Sequence, residues 1–199
     1  AALKADGSIS TWGNAIRGGT GAPTGTGYTQ ITANNNAYAA LKFDGSITAW
    51  GLTTGGGSGA PTGTGFTKIF ASQNAYAALR NDGSIAVWGD SSRGGVSAPS
   101  GTGFVDIWST ANGFAALKTD SSLTSWGATG TFNTTTPTGT GYTQVFSTGG
   151  SFAALKADGS ITVWGSTSEG NSTKAPAGTG YTNIVSTGTA FAAIKADGS

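Results

Sequence analysis

Apolar and polar residues alternate along this chain in short runs, and the same order of runs returns every 38 residues. Between positions 28 and 51, three runs combine period-2 alternation with β-branched or aromatic residues. They are Tyr28 to Ala33, Tyr38 to Lys42 and Ser46 to Trp50, which predict three strands, a, b and c. Asp44-Gly45 between b and c predicts a two-residue type I′ hairpin. That turn sets Lys42 opposite Ile47, Leu41 opposite Thr48, Ala40 opposite Ala49 and Ala39 opposite Trp50, a small residue beside each indole. Both faces of such a ribbon carry apolar groups, so each must be covered by a neighbouring sheet. The pattern predicts an all-β fold, a β-propeller of three-stranded blades of about 38 residues. The alternative is an open β-solenoid-like stack of the same units.

The repeat is regular enough to count. Ala-Ala-Leu-Lys at Ala1 returns with small changes at Ala39, Ala77, Ala115, Ala153 and Ala192. Each full copy continues with x-Asp-Gly-Ser, a short apolar strand, Trp-Gly, a Gly/Ser/Thr loop, Pro and Gly-Thr-Gly. All five prolines (Pro23, Pro61, Pro99, Pro137 and Pro176) share one position. The chain therefore reads as one repeat domain over residues 1–199, with copies starting at 1, 39, 77, 115 and 153 and a partial sixth from 192. In the fourth copy the turn is Asp120-Ser121. A serine at a left-handed position costs on the order of 1 kcal/mol relative to glycine, so this hairpin should be the weakest.

Composition removes most chemistry. There is no Cys, His or Met, only 10% of residues are charged, and the formal net charge is +1. Disulfides and thiolate or imidazole metal sites are excluded, and no electrostatic pull towards nucleic acid is expected. No apolar run is long enough to insert into a membrane. Nine carboxylates remain as candidates for acid–base work. Asp6, Asp44, Asp82, Asp120, Asp158 and Asp197 all occupy the hairpin turn, where backbone geometry explains them. That leaves Asp90, Asp106 and Glu169, which the sequence does not pair. Lys4, Lys42, Arg80, Lys118, Lys156 and Lys195 likewise share one position, and the turn carboxylates beside them cancel most of their field. Glycine strings such as Gly55-Gly56-Gly57 lack the Lys-Ser/Thr of a phosphate loop, and calcium-loop spacing is absent. No enzyme activity and no cofactor are expected.

The string Ile-x-Ala-x6-Ala-Leu-Lys-x-Asp-Gly-x-Ile-x-x-Trp-Gly, at Ile31 to Gly51 and Ile69 to Gly89, resembles the repeat of the regulator of chromosome condensation superfamily. Its length and three strands are most similar to the bacterial three-stranded-blade branch, which includes β-lactamase inhibitor-like propellers. The resemblance implies the propeller fold and a ring that closes at about seven blades. It implies no specific activity, because the fold hosts many. The sequence departs from the family pattern in having Asn34 in place of Gly and Ala37 in place of His. The family's Asn-x-x-Gly-Gln-Leu-Gly shrinks to Arg17-Gly18-Gly19 and Arg93-Gly94-Gly95.

The copies differ most between Trp-Gly and Pro, over Asn14–Ala22, Leu52–Ala60, Asp90–Ala98, Ala128–Thr136 and Ser166–Ala175. Loops of this kind gather on one rim of a propeller and vary without disturbing its core. Ile16, Arg17, Leu52, Arg93, Phe132, Glu169 and Lys174 are the candidate partner-binding residues. The function expected is a non-catalytic structural or adhesive module of an extracellular, cell-surface or virion-surface assembly. The alternative is a discrete domain that recognises a protein through its loop rim. The expected partners are a protein, a surface glycan or further copies of the chain. Five a strands, five c strands and six b strands further predict a segment of a larger array, since an open end leaves unpaired backbone in water.

Overall fold

The computed structural model describes residues 1–128, 136–169 and 175–199. Its strands form six sheets in chain order. The first is a pair, β1 (Ala2–Leu3) and β2 (Ile9–Ser10). Four three-stranded antiparallel sheets follow: β3 (Tyr28–Ala33), β4 (Ala37–Lys42) and β5 (Ile47–Gly51); β6 (Phe66–Ala71), β7 (Ala75–Arg80) and β8 (Ile85–Gly89); β9 (Phe104–Ser109), β10 (Gly113–Lys118) and β11 (Leu123–Gly127); β12 (Tyr142–Ser147), β13 (Ser151–Lys156) and β14 (Ile161–Gly165). The last is again a pair, β15 (Tyr181–Ser186) and β16 (Phe191–Lys195). Each full sheet is the expected a–b–c ribbon, with Trp-Gly ending strand c. The first sheet has no a strand and the last no c strand.

The b–c register differs from the expected one by a residue. Tyr38 faces Trp50, Ala39 faces Ala49, Ala40 faces Thr48 and Leu41 faces Ile47. The hairpin loop has three residues, Phe43, Asp44 and Gly45, closed by Gly45 N–H to Lys42 O and Lys42 N–H to Ser46 O, both 2.9 Å. Only the glycine is left-handed, at φ 78°. The turn is therefore type I followed by a glycine bulge, where a type I′ turn would need positive φ at Asp44 as well. This single step moves Trp50 from beside Ala39 to beside Tyr38, and the two rings stack at 5.3 Å. Tyr76–Trp88, Phe114–Trp126 and Phe152–Trp164 repeat the stack at 5.0 to 5.3 Å. Each pair adds about 0.5–1.5 kcal/mol beyond the area it buries.

Strand a carries a β-bulge in every copy. Tyr28 pairs with Lys42, but Gln30 already pairs with Leu41. The extra residue, Thr29, donates its hydroxyl to Leu41 O at 3.2 Å. Because of this bulge, apolar residues three apart point the same way. Phe66 and Ile69 of β6 join Tyr76, Ala78 and Trp88 on one face, which packs onto Ala37, Ala39, Leu41, Ile47 and Ala49 of the preceding sheet. The same interface recurs between each consecutive pair of sheets. Among the described residues, no core cluster joins the last sheet to the first.

Hydrogen bonds tie each copy to the next. Asn35 N–H donates to Gln73 O, Gln73 N–H to Ala111 O, Ala111 N–H to Gly149 O and Gly149 N–H to Gly188 O, at 2.8 to 3.2 Å. At the other end of the blades, the first residue of strand a donates to the hairpin glycine of the preceding copy, as Phe66 N–H does to Gly45 O at 3.1 Å. That approach is close: a Cβ on Gly45 would come within 2.5 Å of Gly65 N. In the fourth copy Ser121 does carry a Cβ, at φ 63°. Tyr142 N–H still reaches Ser121 O at 3.1 Å. The second bond seen in the other copies, Gly65 N–H to Asp44 O at 3.3 Å for instance, has no counterpart between Gly141 and Asp120. The expectation of a left-handed serine holds.

Candidate functional site

The segment after Trp-Gly opens with a single 3-10 turn, at Ala15–Arg17, Thr53–Gly55 and Ser91–Arg93 in the first three copies. Asn14 caps the first by accepting from Ile16 and Arg17 N–H, and Asp90 caps the third by accepting from Ser92 N–H at 2.8 Å. Leu52 holds the cap position in the second and offers no side-chain bond. Each turn ends on a left-handed glycine, Gly18, Gly56 or Gly94. These glycines lie flat on the next copy's aromatic pair: a Cβ on Gly56 would stand 2.8 Å from Tyr76 Cδ2. Their carbonyls accept the buried indole N–H groups, Trp50 to Gly18, Trp88 to Gly56 and Trp126 to Gly94, at 3.0 to 3.2 Å. The Nε1 of Trp164 is buried without an acceptor among the described residues. The position 32 residues before it is Phe132, outside the described residues.

In the first three copies the first half of the variable loop is thus a lid on the neighbouring copy, and this sorts the candidate residues. Arg17 donates to Asn35 O at 3.2 Å and to Asn36 Oδ1. Arg93 donates to Asn112 Oδ1. Both guanidinium groups reach the adjoining sheet's a–b turn. Glu169 lies against Gly149 and Gly150, and its carbonyl accepts from the Thr148 hydroxyl at 3.0 Å. Leu52 is half-buried. Ile16 stands in solvent, 69% exposed. Phe132 and Lys174 lie outside the described residues. Sequence reasoning passed over Val96, which is exposed on the third copy's loop. Its signal was a lone β-branched residue between Gly95 and Ser97. Nothing among the described residues brings Ile16, Arg17, Leu52, Arg93 and Glu169 together in one pocket.

The remaining charges have local partners. Five of the six cations at the repeated position lie over the first aromatic of the strand a in their own sheet: Lys42 on Tyr28, Arg80 on Phe66, Lys118 on Phe104, Lys156 on Tyr142 and Lys195 on Tyr181, at 4.4 to 5.2 Å from the ring centre. Such contacts stabilise by about 0.5–1 kcal/mol at exposed sites. Lys68 pairs with Asp106 at 3.1 Å. The turn carboxylates are held below the usual carboxylate range by the serine two residues on. For Asp44, Asp120 and Asp158 its hydroxyl contributes most, then its N–H; for Asp6, Asp82 and Asp197 the order reverses. Burial pushes the Tyr76 phenol up; it donates to Ala37 O at 2.6 Å. Among the described residues, no group of three acids could hold a metal ion. No described helix is long and apolar enough to cross a membrane.

No family model matches the sequence, nor does any curated protein. Solved structures do match. The ectodomain of the Physcomitrella patens receptor kinase CR4 aligns over 89% of this chain and 52% of its own, at 18% identity and TM-score 0.66. The CRINKLY WD40 ectodomain of the Arabidopsis thaliana receptor kinase ACR4 aligns over 84% and 60%, at 17% identity and TM-score 0.60. Prp20p of Saccharomyces cerevisiae, a protein described with its binding to Gsp1p and histones, aligns over 72% and 47%, at 16% identity and TM-score 0.53. The chain therefore spans about half the length of the structures it matches. At these identities the likeness is one of fold, and it agrees with the blade-by-blade geometry: this chain has the fold of the propellers built from regulator of chromosome condensation-like repeats.

Proposed function

We propose that the chain is a non-catalytic structural module of an extracellular, cell-surface or virion-surface assembly, built to be stacked and displayed. The observation that carries this reading is where the charged and aromatic side chains go. The turn carboxylates, the b-strand cations and the buried Trp pairs are engaged within a copy or between adjoining copies. What faces solvent along the loops is mostly Ser, Thr, Gly and Asn. A chain without Cys, His or Met and with few charges suits a passive surface, and two of the matched folds are receptor ectodomains. A measured turnover of any substrate would overturn the non-catalytic part.

Ile16 and Val96, exposed on the same loop of different copies, favour a second reading, recognition of a protein or glycan through the loop rim. Adhesion of beads coated with the chain to each other and to protein or glycan surfaces separates the two. The structural reading expects the double variant Ile16→Ser, Val96→Ser to adhere as the wild type does. Loss of adhesion in that variant supports rim recognition, and beads that adhere to nothing in either form overturn both.

A further inference from the structure

Asn112 ends the a–b turn of the β9–β11 sheet, and Gly113 opens β10 directly after it, the one Asn-Gly pair in the sequence. The two preceding sheets have Asn36-Ala37 and Asn74-Ala75 at these positions. There the alanine N–H is held: Ala37 donates to Asn34 Oδ1 at 2.9 Å and Ala75 to Ser72 Oγ at 3.1 Å. In the β9–β11 sheet the matching hydroxyl, Thr110 Oγ1, accepts from Asn112 N–H and donates to Gly113 O, both at 3.3 Å. The ladder to β11 closes at Ala128 N–H to Asn112 O, 3.0 Å, which turns Gly113 N–H the other way. It points to the a–b turn and has no acceptor there among the described residues. The glycine itself is required, because a Cβ would come within 2.4 Å of Trp126 O.

A cation completes the arrangement. Arg93 is half-buried and donates to Asn112 Oδ1, a neutral partner. Arg17 and Asn36 form the matching contact, but the residue after Asn36 carries a side chain and its N–H is engaged. Asn36 also donates its own amide to Asn74 Oδ1 at 2.6 Å. Among the described residues, Asn112 alone combines an unhindered neighbour, an unbonded backbone N–H and a guanidinium on the side-chain oxygen.

We propose that Asn112 is a site of self-modification, at which the chain converts this amide to an aspartate paired with Arg93. The Gly113 nitrogen attacks Asn112 Cγ and releases its proton to solvent. The bond from Cγ to the side-chain nitrogen breaks, and that nitrogen takes up a proton and leaves as ammonia. The cyclic imide that remains adds water at Cγ. Its ring C–N bond then opens, and a proton returns to the Gly113 nitrogen. One water enters, one ammonia leaves, and nothing is oxidised or reduced. Arg93 stabilises the charge that develops on Oδ1 in both additions. Afterwards it faces a carboxylate, and a charge-assisted pair joins the loop after β8 to the next sheet. Water attack at the other imide carbonyl lengthens the backbone beside the Asn112–Ala128 bond, so the ladder favours aspartate over isoaspartate.

Incubation of the folded chain in water labelled with heavy oxygen, followed by peptide mass mapping, tests this. Asn112 should lose its amide and gain the label as aspartate, while Asn36 and Asn74 in the same sample keep their amides. Arg93→Gln should slow the conversion at least about tenfold. That variant folds, since the second copy has Gly55 at this position and still forms the turn. The product variant Asn112→Asp should raise the urea midpoint, and the gain should vanish when Arg93→Gln is added. An Asn112 that converts only in the urea-unfolded chain overturns the proposal. So does conversion that Arg93→Gln leaves unchanged, isoaspartate as the main product, or a midpoint that Asn112→Asp does not move.

Discussion

Trp88 and Trp12 hold the same position in the repeat, yet one is 4% exposed and the other 67%. Trp88 stacks on Tyr76, donates to Gly56 O and lies against the sheet before it. Trp12 has an identical local sequence, Trp-Gly after a short strand, and none of those three neighbours. The ring of Tyr76 comes from the same sheet, whereas Gly56 and the apolar face come from the residues before it, so burial of the indole depends on the preceding unit as well as on its own. Stability should follow the same rule, as a sum over neighbouring pairs.

The largest test of that contrast is truncation of the two indoles. Trp88→Ala should cost about 3–5 kcal/mol, and Trp12→Ala no more than about 0.5 kcal/mol, both read by urea unfolding of dilute protein. Equal costs would show that the ends are packed like the middle. A second pair uses glycines. Gly56→Ala meets the Tyr76 ring at a left-handed position and should cost about 3 kcal/mol. Gly59→Ala, also left-handed but with nothing within 4 Å, should cost about 1 kcal/mol. The thermal midpoints of the two variants separate the backbone effect from the contact. In the opposite direction, Ser121→Gly should stabilise by about 1 kcal/mol and protect the Gly141 amide from hydrogen exchange.

Acid should act on every copy alike. The turn aspartates have carboxyl pKa values lowered in the fold, so their contribution is fully present above the unfolded value near 3.9. It is lost as the pH falls through the lower folded values. Urea midpoints should stay level from pH 7 to about 5 and decline below about 4. The smallest effect belongs to the ion pair between copies. Lys68 and Asp106 are both partly exposed, so Lys68→Ala should change stability by less than about 1 kcal/mol, and salt should erase the difference.

Much of this molecule is legible in its residues. The period, the three strands, the hairpin at Asp-Gly and the left-handed Ser121 follow from alternation and turn chemistry. The register does not, because Asp44-Gly45 fits both a two-residue turn and the three-residue turn that forms. A signal was nonetheless present. An aromatic stands 12 residues before the Trp in each full copy, as Tyr38 before Trp50 and Phe114 before Trp126, which is the spacing of directly facing residues around that longer turn. The bulge at Thr29 is announced by Tyr28 and Ile31, apolar and three apart where alternation would place them two apart. The loops proved harder. Arg17-Gly18-Gly19 reads as a flexible surface segment, and its role as a cover on the next copy depends on contacts that no local pattern states. Of the loop residues considered for binding, Ile16 is in solvent, while Arg17 and Arg93 reach into the adjoining copy.

The contacts between copies span fixed distances along the chain, 32 residues from Trp88 to Gly56 and 38 from Asn36 to Asn74. Each copy refers only to the one before it and the one after. In a gene, tandem repeats of one length are gained or lost as whole units when they misalign during recombination. A deletion of one period brings two equivalent faces together, each already fitted to the other, and an insertion does the same. The length of such a protein can therefore drift between generations while its packing stays constant, and selection can tune its reach without redesigning its core.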